Sequence, residues 1–135
     1  IRQMGAELGF AFAGGADARI WNTFDCHRLL HWAGRAGRQQ ALKEALFAAH
    51  FSRGEALADP AILVAAAAEA GLDPEAAGEV LASGRYTDEV RAEAAVWRDQ
   101  GITAVPAIVF DRQYAVLGGQ PVDTFERFLR KLAQT

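Results

Sequence analysis

Apolar residues recur every three or four positions through most of the chain, then give way near the C-terminus to two short β-branched runs. Met4 and Leu8, flanked by Arg2 and Glu7, read as the last turns of a helix that Gly9 stops. Residues 9–20 are Gly-rich and predict a loop or a short extended crossing. Asn22-Thr23-Phe24-Asp25 is a helix start, in which Asn22 can cap free N–H groups and Asp25 can reach back as a capping-box acid. Cys26, Leu29, Leu30 and Ala33 follow at helical spacing, so this helix has a buried stripe and an end near Gly37.

A second helix is predicted over residues 38–52, with Leu42, Ala45, Leu46 and Ala49 as one stripe, widened by Phe47 and Phe51. Asp59-Pro60 and Asp73-Pro74 are matching starts, each an acidic cap followed by a proline at the first helical position. The first carries Ile62, Leu63, Ala66, Ala67 and Ala70 to Gly71, and the second carries Val80 and Leu81 to Gly84. Thr87-Asp88-Glu89 opens a longer helix with Tyr86, Val90, Ala94 and Trp97 on one face and Gly101 behind it.

The period then changes. Residues 107–110 (AIVF) and 114–117 (YAVL) read as strands of a hairpin. The turn Asp111-Arg112-Gln113 lacks the Gly or Asn that tight hairpins prefer, so strain, or an odd conformation at Asp111, is expected. Gly118-Gly119 breaks the second strand. Pro121 starts a last helix striped by Val122, Phe125, Leu129 and Leu132, with Arg127, Arg130 and Lys131 toward its end. The fold class is therefore α+β and mostly helical. A hairpin alone leaves bare edges and is marginal in water, so further strands are expected, either before Ile1 or from a second copy in a homodimer.

Composition narrows the classes. The chain has 135 residues, 51% hydrophobic and 23% charged, which suits a packed core rather than disorder. Its longest apolar run, residues 61–68, is far short of the ~20 residues that span a bilayer. A net charge of −3 argues against nucleic acid as a partner. The first residues show no charged-then-apolar leader, which points to a bacterial cytoplasm. One cysteine, Cys26, excludes an internal disulfide and a CxxC pair within these residues.

The stretch from Gly101 to Phe110 (GITAVPAIVF), then a hairpin, Gly118-Gly119-Gln120 and an amphipathic helix, resembles the C-terminal half of thioredoxin-fold proteins. Residues 22–30 (NTFDCHRLL) resemble the opening of the helical insertion in DsbA-like oxidoreductases, nearest the FrnE-type branch. Hydroxychromene-carboxylate isomerases and kappa-class glutathione transferases are neighbouring branches. The resemblance implies a helical insertion domain over residues 1–100 and the strand–strand–helix end of a thioredoxin-like domain over 101–135. It also implies that the strand–CxxC helix–strand segment of such proteins precedes Ile1, leaving no catalytic residue in this chain.

On the same resemblance Val105-Pro106 is a cis bond. The substrate-binding residues are Ala104, Val105 and Pro106, with the Val105 backbone left free to pair with an extended peptide or with glutathione. Gly119 and Gln120, at the start of the last helix, can hold a carboxylate of glutathione. The implied function of the parent protein is thiol–disulfide oxidoreductase, acting on proteins or peptides, with the helical domain as a lid. The alternatives are a glutathione-dependent isomerase or transferase, and a non-enzymatic, chaperone-like peptide-binding module. No cofactor is expected beyond glutathione as substrate or cosubstrate.

The remaining candidates favour structural roles. Cys26 lies on the apolar stripe of its helix, and free cysteine is among the most buried residue types. His27 and His31 are four apart, a spacing that can seat a metal, but no third or fourth ligand follows, so no metal site is expected. Trp21, Trp32, Trp97, Phe10 and Phe12 suit core or interface packing better than a substrate groove.

Overall fold

The computed structural model describes residues 1–14 and 19–134, so residues 15–18 of the predicted loop lie outside the described part. Among the described residues the chain is α+β: mostly helical, with one two-stranded antiparallel sheet. It divides into two compact units, Ile1–Arg91 and Ala92–Thr135.

The first unit holds α1 (Arg2–Glu7), α2 (Phe24–Arg35), α3 (Gln39–Phe47), α4 (Pro60–Glu69), α5 (Pro74–Ser83) and the first turns of α6 (Thr87–Asp99). Helix α2 packs on α3, α3 on α4, α4 on α5, and α5 back on α2. The stripes predicted from spacing meet inside this ring. Leu29, Leu42, Leu63 and Val80 are the largest fully buried side chains, and Ala33, Ala49, Ala66, Ala67 and Ala77 pack beside them. Each such Leu contributes roughly 1.5–3 kcal/mol by leaving water.

Both Asp-Pro starts act as caps. The Asp59 carboxylate accepts from the Ala61 N–H and the Asp73 carboxylate from the Glu75 N–H, each at 2.9 Å. The predicted second helix is instead α3 followed by a turn of π-helix over Ala48–Ser52, closed by the Arg53 N–H donating to the Ala48 carbonyl at 3.0 Å.

The start of α2 also differs from expectation. Thr23 stands at the N-cap, with no side-chain cap bond. Asn22 Oδ1 accepts from the Phe24 N–H at 3.0 Å. Asp25 turns away from the backbone to accept from Arg28 Nη1 at 2.8 Å. A guanidinium is a stronger partner for a carboxylate than an N–H that water can reach.

Arg28 is the buried charge of the unit, 4% exposed. Its Nε donates to the Arg85 carbonyl at 2.8 Å, its Nη1 also to the Leu81 carbonyl at 3.4 Å, and its Nη2 to the Val80 carbonyl. These carbonyls lie in and just beyond the last turn of α5, where helical partners run out. Gly84 then takes the left-handed conformation that ends α5, and Tyr86 follows at φ 63°. Tyr86 is buried, as is Val90, but Ala94 and Trp97 of the predicted α6 stripe are exposed.

Cys26 lies in the core, 5% exposed, with its thiol 3.8 Å from the Leu57 carbonyl oxygen. Burial pushes its pKa up to about 11; a backbone hydrogen bond opposes the shift, and the Asp25 charge adds to it.

The second unit contains the rest of α6, strands β1 (Ala107–Phe110) and β2 (Tyr114–Leu117), and α7 (Val122–Leu132). The strands pair in register from Ala107↔Leu117 to Phe110↔Tyr114. The Gln113 N–H donates to the Phe110 carbonyl at 3.0 Å across a turn with Asp111 at φ 49° and Arg112 at φ 55°. Both central residues are left-handed, as a type I′ turn requires, so the unusual conformation extends beyond Asp111. Phe128 of α7 lies against Phe110 and Tyr114, with ring centroids 5.2 and 6.1 Å apart.

Three outcomes test this account. Arg28→Met is expected to lower unfolding stability by about 3 kcal/mol in urea denaturation, because three carbonyls lose a charged donor; a loss below about 1 kcal/mol would mean that water replaces it. Arg112→Gly relieves a left-handed residue and is expected to raise stability by about 0.5–1 kcal/mol by the same measurement. The folded state raises the Cys26 pKa, so its stability contribution is complete below the unfolded pKa near 9 and is lost as pH rises toward 11. The stability of Cys26→Ala is therefore expected to fall less steeply than that of the parent chain between those pH values. Parallel pH profiles would contradict the burial argument.

Candidate substrate-binding loop

The loop before β1 is pinned at both ends. Gly101, at φ 85°, terminates α6, and the Ile102 N–H donates back to the Trp97 carbonyl at 3.0 Å. At the far end the Pro106 carbonyl accepts from the Gly118 N–H at 2.8 Å, extending the hairpin ladder one step past Ala107↔Leu117. The Val105–Pro106 bond between these anchors is cis.

Ala104, Val105 and Pro106 are all exposed, Val105 at 88%. Among the described residues, neither the N–H nor the C=O of Val105 is hydrogen-bonded. The loop therefore presents one backbone donor and one acceptor to solvent from a rigid base. Residues 101–110 contain no charged side chain, so what the loop offers a ligand is backbone pairing and a small apolar surface. An extended peptide has the complementary groups.

Gly118, at φ 79°, carries the chain from β2 toward α7, and a Cβ there would lie 3.6 Å from Gln120 Nε2. Gln120 Nε2 donates to the Leu117 carbonyl at 2.9 Å, so this side chain also braces the turn. Gly119 and Gln120 are exposed beside the N-terminus of α7. Pro121 is the N-cap, and Asp123 already supplies a negative charge in the first turn.

Cys26, His27 and His31 belong to the first unit. Cys26 is in the core of the first unit, where burial disfavours the thiolate that nucleophilic chemistry needs. His27 is exposed, and His31 stacks against Tyr86 with ring centroids 5.2 Å apart. Among the described residues no three His, Cys, Asp or Glu side chains cluster as metal ligands do. No helix among them is long and apolar enough to cross a membrane.

Sequence reasoning passed over two features. One is Arg28, described above. The other is a cleft of about 540 Å³ in the first unit, walled by Phe12, Trp21, His50 and Phe51 among others. Phe12 and Phe51 meet edge to face at 5.7 Å, and Nδ1 of His50, on the π-helical turn, is buried without a hydrogen-bond partner among the described residues. The wide turn that shapes this cleft has no sequence signal separate from that of an ordinary helix.

Comparison with known proteins covers both units. The DSBA-like thioredoxin domain family matches residues 1–130. A crystal structure of a probable DsbA oxidoreductase from Streptomyces coelicolor superposes with a TM-score of 0.87 at 39% identity, over 96% of this chain and 56% of the other. The chain thus spans little more than half the length of that protein. No curated protein sequence matches. The match runs through the helical ring, the loop before β1, the hairpin and α7 alike, and the chain belongs to the DsbA-like thioredoxin family.

Proposed function

We propose that this chain is the substrate-holding part of a thiol–disulfide oxidoreductase of the FrnE-type branch, and that residues Ala104, Val105 and Pro106 bind an extended segment of the substrate protein. The observation that carries this reading is the exposed Val105 backbone, unpaired in both directions at the end of a braced hairpin. Membership of the DsbA-like family and the likeness to a probable DsbA oxidoreductase support the class of chemistry.

The 135 residues hold one cysteine, and it is buried. The exchanging pair is therefore assigned to residues other than these. In the exchange, one thiolate of that pair attacks a substrate sulfur and forms a mixed disulfide, expelling the other substrate sulfur as a thiolate. The second thiolate of the pair then attacks the mixed disulfide and releases the first substrate sulfur. The pair becomes a disulfide as the substrate disulfide becomes two thiols, and the reverse sequence oxidises substrate. The part played by Val105 is positional: two backbone hydrogen bonds fix the substrate strand while the sulfurs align. Glutathione carries the same peptide groups and is proposed as an alternative occupant of the loop, with Gly119 and Gln120 near its carboxylate.

Amide NMR of the chain during titration with an unstructured peptide, its cysteines alkylated, tests the reading. The largest shifts are expected at Ala104 and Val105. Val105→Pro, which removes the N–H, is expected to weaken binding about fivefold to tenfold. In an insulin-reduction assay with dithiothreitol, the 135-residue chain is expected to add nothing to the background rate. Peptide shifts confined to the helical unit, or catalysed insulin reduction by these residues alone, would overturn the proposal.

A further inference from the structure

Helix α2 carries Phe24, His27, His31 and Arg35 at intervals of three, four and four, so they lie along one face. The α5–α6 junction and the first turns of α6 bring Arg85, Tyr86 and Arg91 to that face. The Arg91 guanidinium sits 5.4 Å from the Phe24 ring centroid. The guanidiniums of Arg85 and Arg35 sit 5.1 and 5.9 Å from the Tyr86 ring centroid. Arg85 Nη2 also donates to the Tyr86 hydroxyl at 3.0 Å.

These cations are held yet not neutralised. The ion pairs of this unit engage Arg28 with Asp25, and Arg53 with Glu55 and Glu69. Among the described residues, Arg35, Arg85 and Arg91 make no ion pair, and neither do Asp88 and Glu89 in the first turn of α6. All three arginines are exposed. A guanidinium resting over a ring is anchored through its flat face, which leaves N–H edges for a carboxylate or phosphate. Set against the unpaired Asp88 and Glu89 beside them, three ring-anchored guanidiniums still leave one positive charge locally in a chain of net charge −3.

Spacing selects the ligand. The two platforms are the rings of Phe24 and Tyr86. Phe24 and His31, which lies against Tyr86, are seven residues apart on α2, or about 10 Å along the axis. A single phosphate or carboxylate can reach one ring platform only. An extended polypeptide advances about 3.3 Å per residue, so about three residues bridge both. Three guanidiniums match the few charges of a short acidic segment, whereas a nucleic acid brings a phosphate at every step and exceeds them. We propose that the face formed by Phe24, Arg35, Arg85, Tyr86 and Arg91 docks an acidic, extended segment of a partner polypeptide. This docking uses residues of the first unit alone and needs no thiol chemistry.

The test uses the chain itself and a short fluorescein-labelled peptide of alternating Glu and Ser, followed by fluorescence anisotropy at low and at physiological salt. Binding is expected at low salt and is expected to weaken as salt rises. The triple variant R35Q/R85Q/R91Q is expected to lose about tenfold in affinity, while R53Q, whose guanidinium is already paired, keeps it. Should the triple variant melt early, ring-proton NMR of the parent chain gives an independent readout: the peptide is expected to shift the Phe24 and Tyr86 signals. Equal affinity of parent and triple variant, peptide shifts that avoid those rings, an equally tight Lys-Ser peptide, or tighter binding of a single-stranded oligonucleotide would each overturn the proposal.

Discussion

The helical ring depends on a charge placed where a charge is costly. Arg28 projects from α2 into the end of α5, and its guanidinium takes up the carbonyls of Val80, Leu81 and Arg85. Burying an ion costs several kcal/mol unless its donors are occupied, and here the half-exposed Asp25 and three carbonyls occupy them. The same carbonyls would otherwise be orphans of a buried helix end. Each group thus removes the other's penalty. The arrangement also braces the turn that follows, because the Arg85 carbonyl is one of the three and Tyr86 next to it takes the left-handed conformation before α6. The buried Tyr86 ring, with Arg85 over it, follows directly from that braced turn.

The second unit works under a different one. Its helix α7 has no buried residue: Phe128 rests on the hairpin, while Val122 is 79% exposed and Leu129 50% exposed. The hairpin keeps its geometry through local means: a type I′ turn, a Gly118–Pro106 bond past the last strand pair, and Gln120 bracing the Leu117 carbonyl. These devices hold the loop at Val105 without drawing its backbone into the ladder. That separation matters to the proposed pairing, since a donor already used by the sheet is unavailable to a ligand.

Much of this was legible from residue pattern, and what was not has a physical reason. Asp59-Pro60 and Asp73-Pro74 specify helix starts because cap and proline act within three residues, so no distant contact can reverse them. The strands at 107–110 and 114–117 were readable to the residue because turn and glycines bound them tightly. Cys26 was placed correctly because its stripe is shared with Leu29 and Ala33. Arg28 was missed because an arginine in an amphipathic helix ordinarily marks the solvated face, and its partners lie more than fifty residues away. Asp25 reads as a capping acid, but Arg28, three residues on in the same helix, has the stronger claim on its carboxylate, and only the distant carbonyls in and just beyond α5 show that this arginine is held in place. The exposure of Ala94 and Trp97 was also hidden, since spacing reveals a stripe but not what covers it.

On the proposed reading, the two units would divide the work that a disulfide-exchanging protein requires. Thiol chemistry is indifferent to sequence beyond the sulfurs, so selection among substrates has to come from contacts elsewhere on the chain. The loop around Val105 offers backbone groups alone and carries no charge with which to discriminate among extended segments. Discrimination would then fall to side chains, and the proposed docking face puts it on the arginines seated on Phe24 and Tyr86. Of these arginines, Arg85 is tied directly to the buried Arg28, which takes its carbonyl, so on the proposed reading the α5–α6 junction that the buried guanidinium holds also carries part of the docking face.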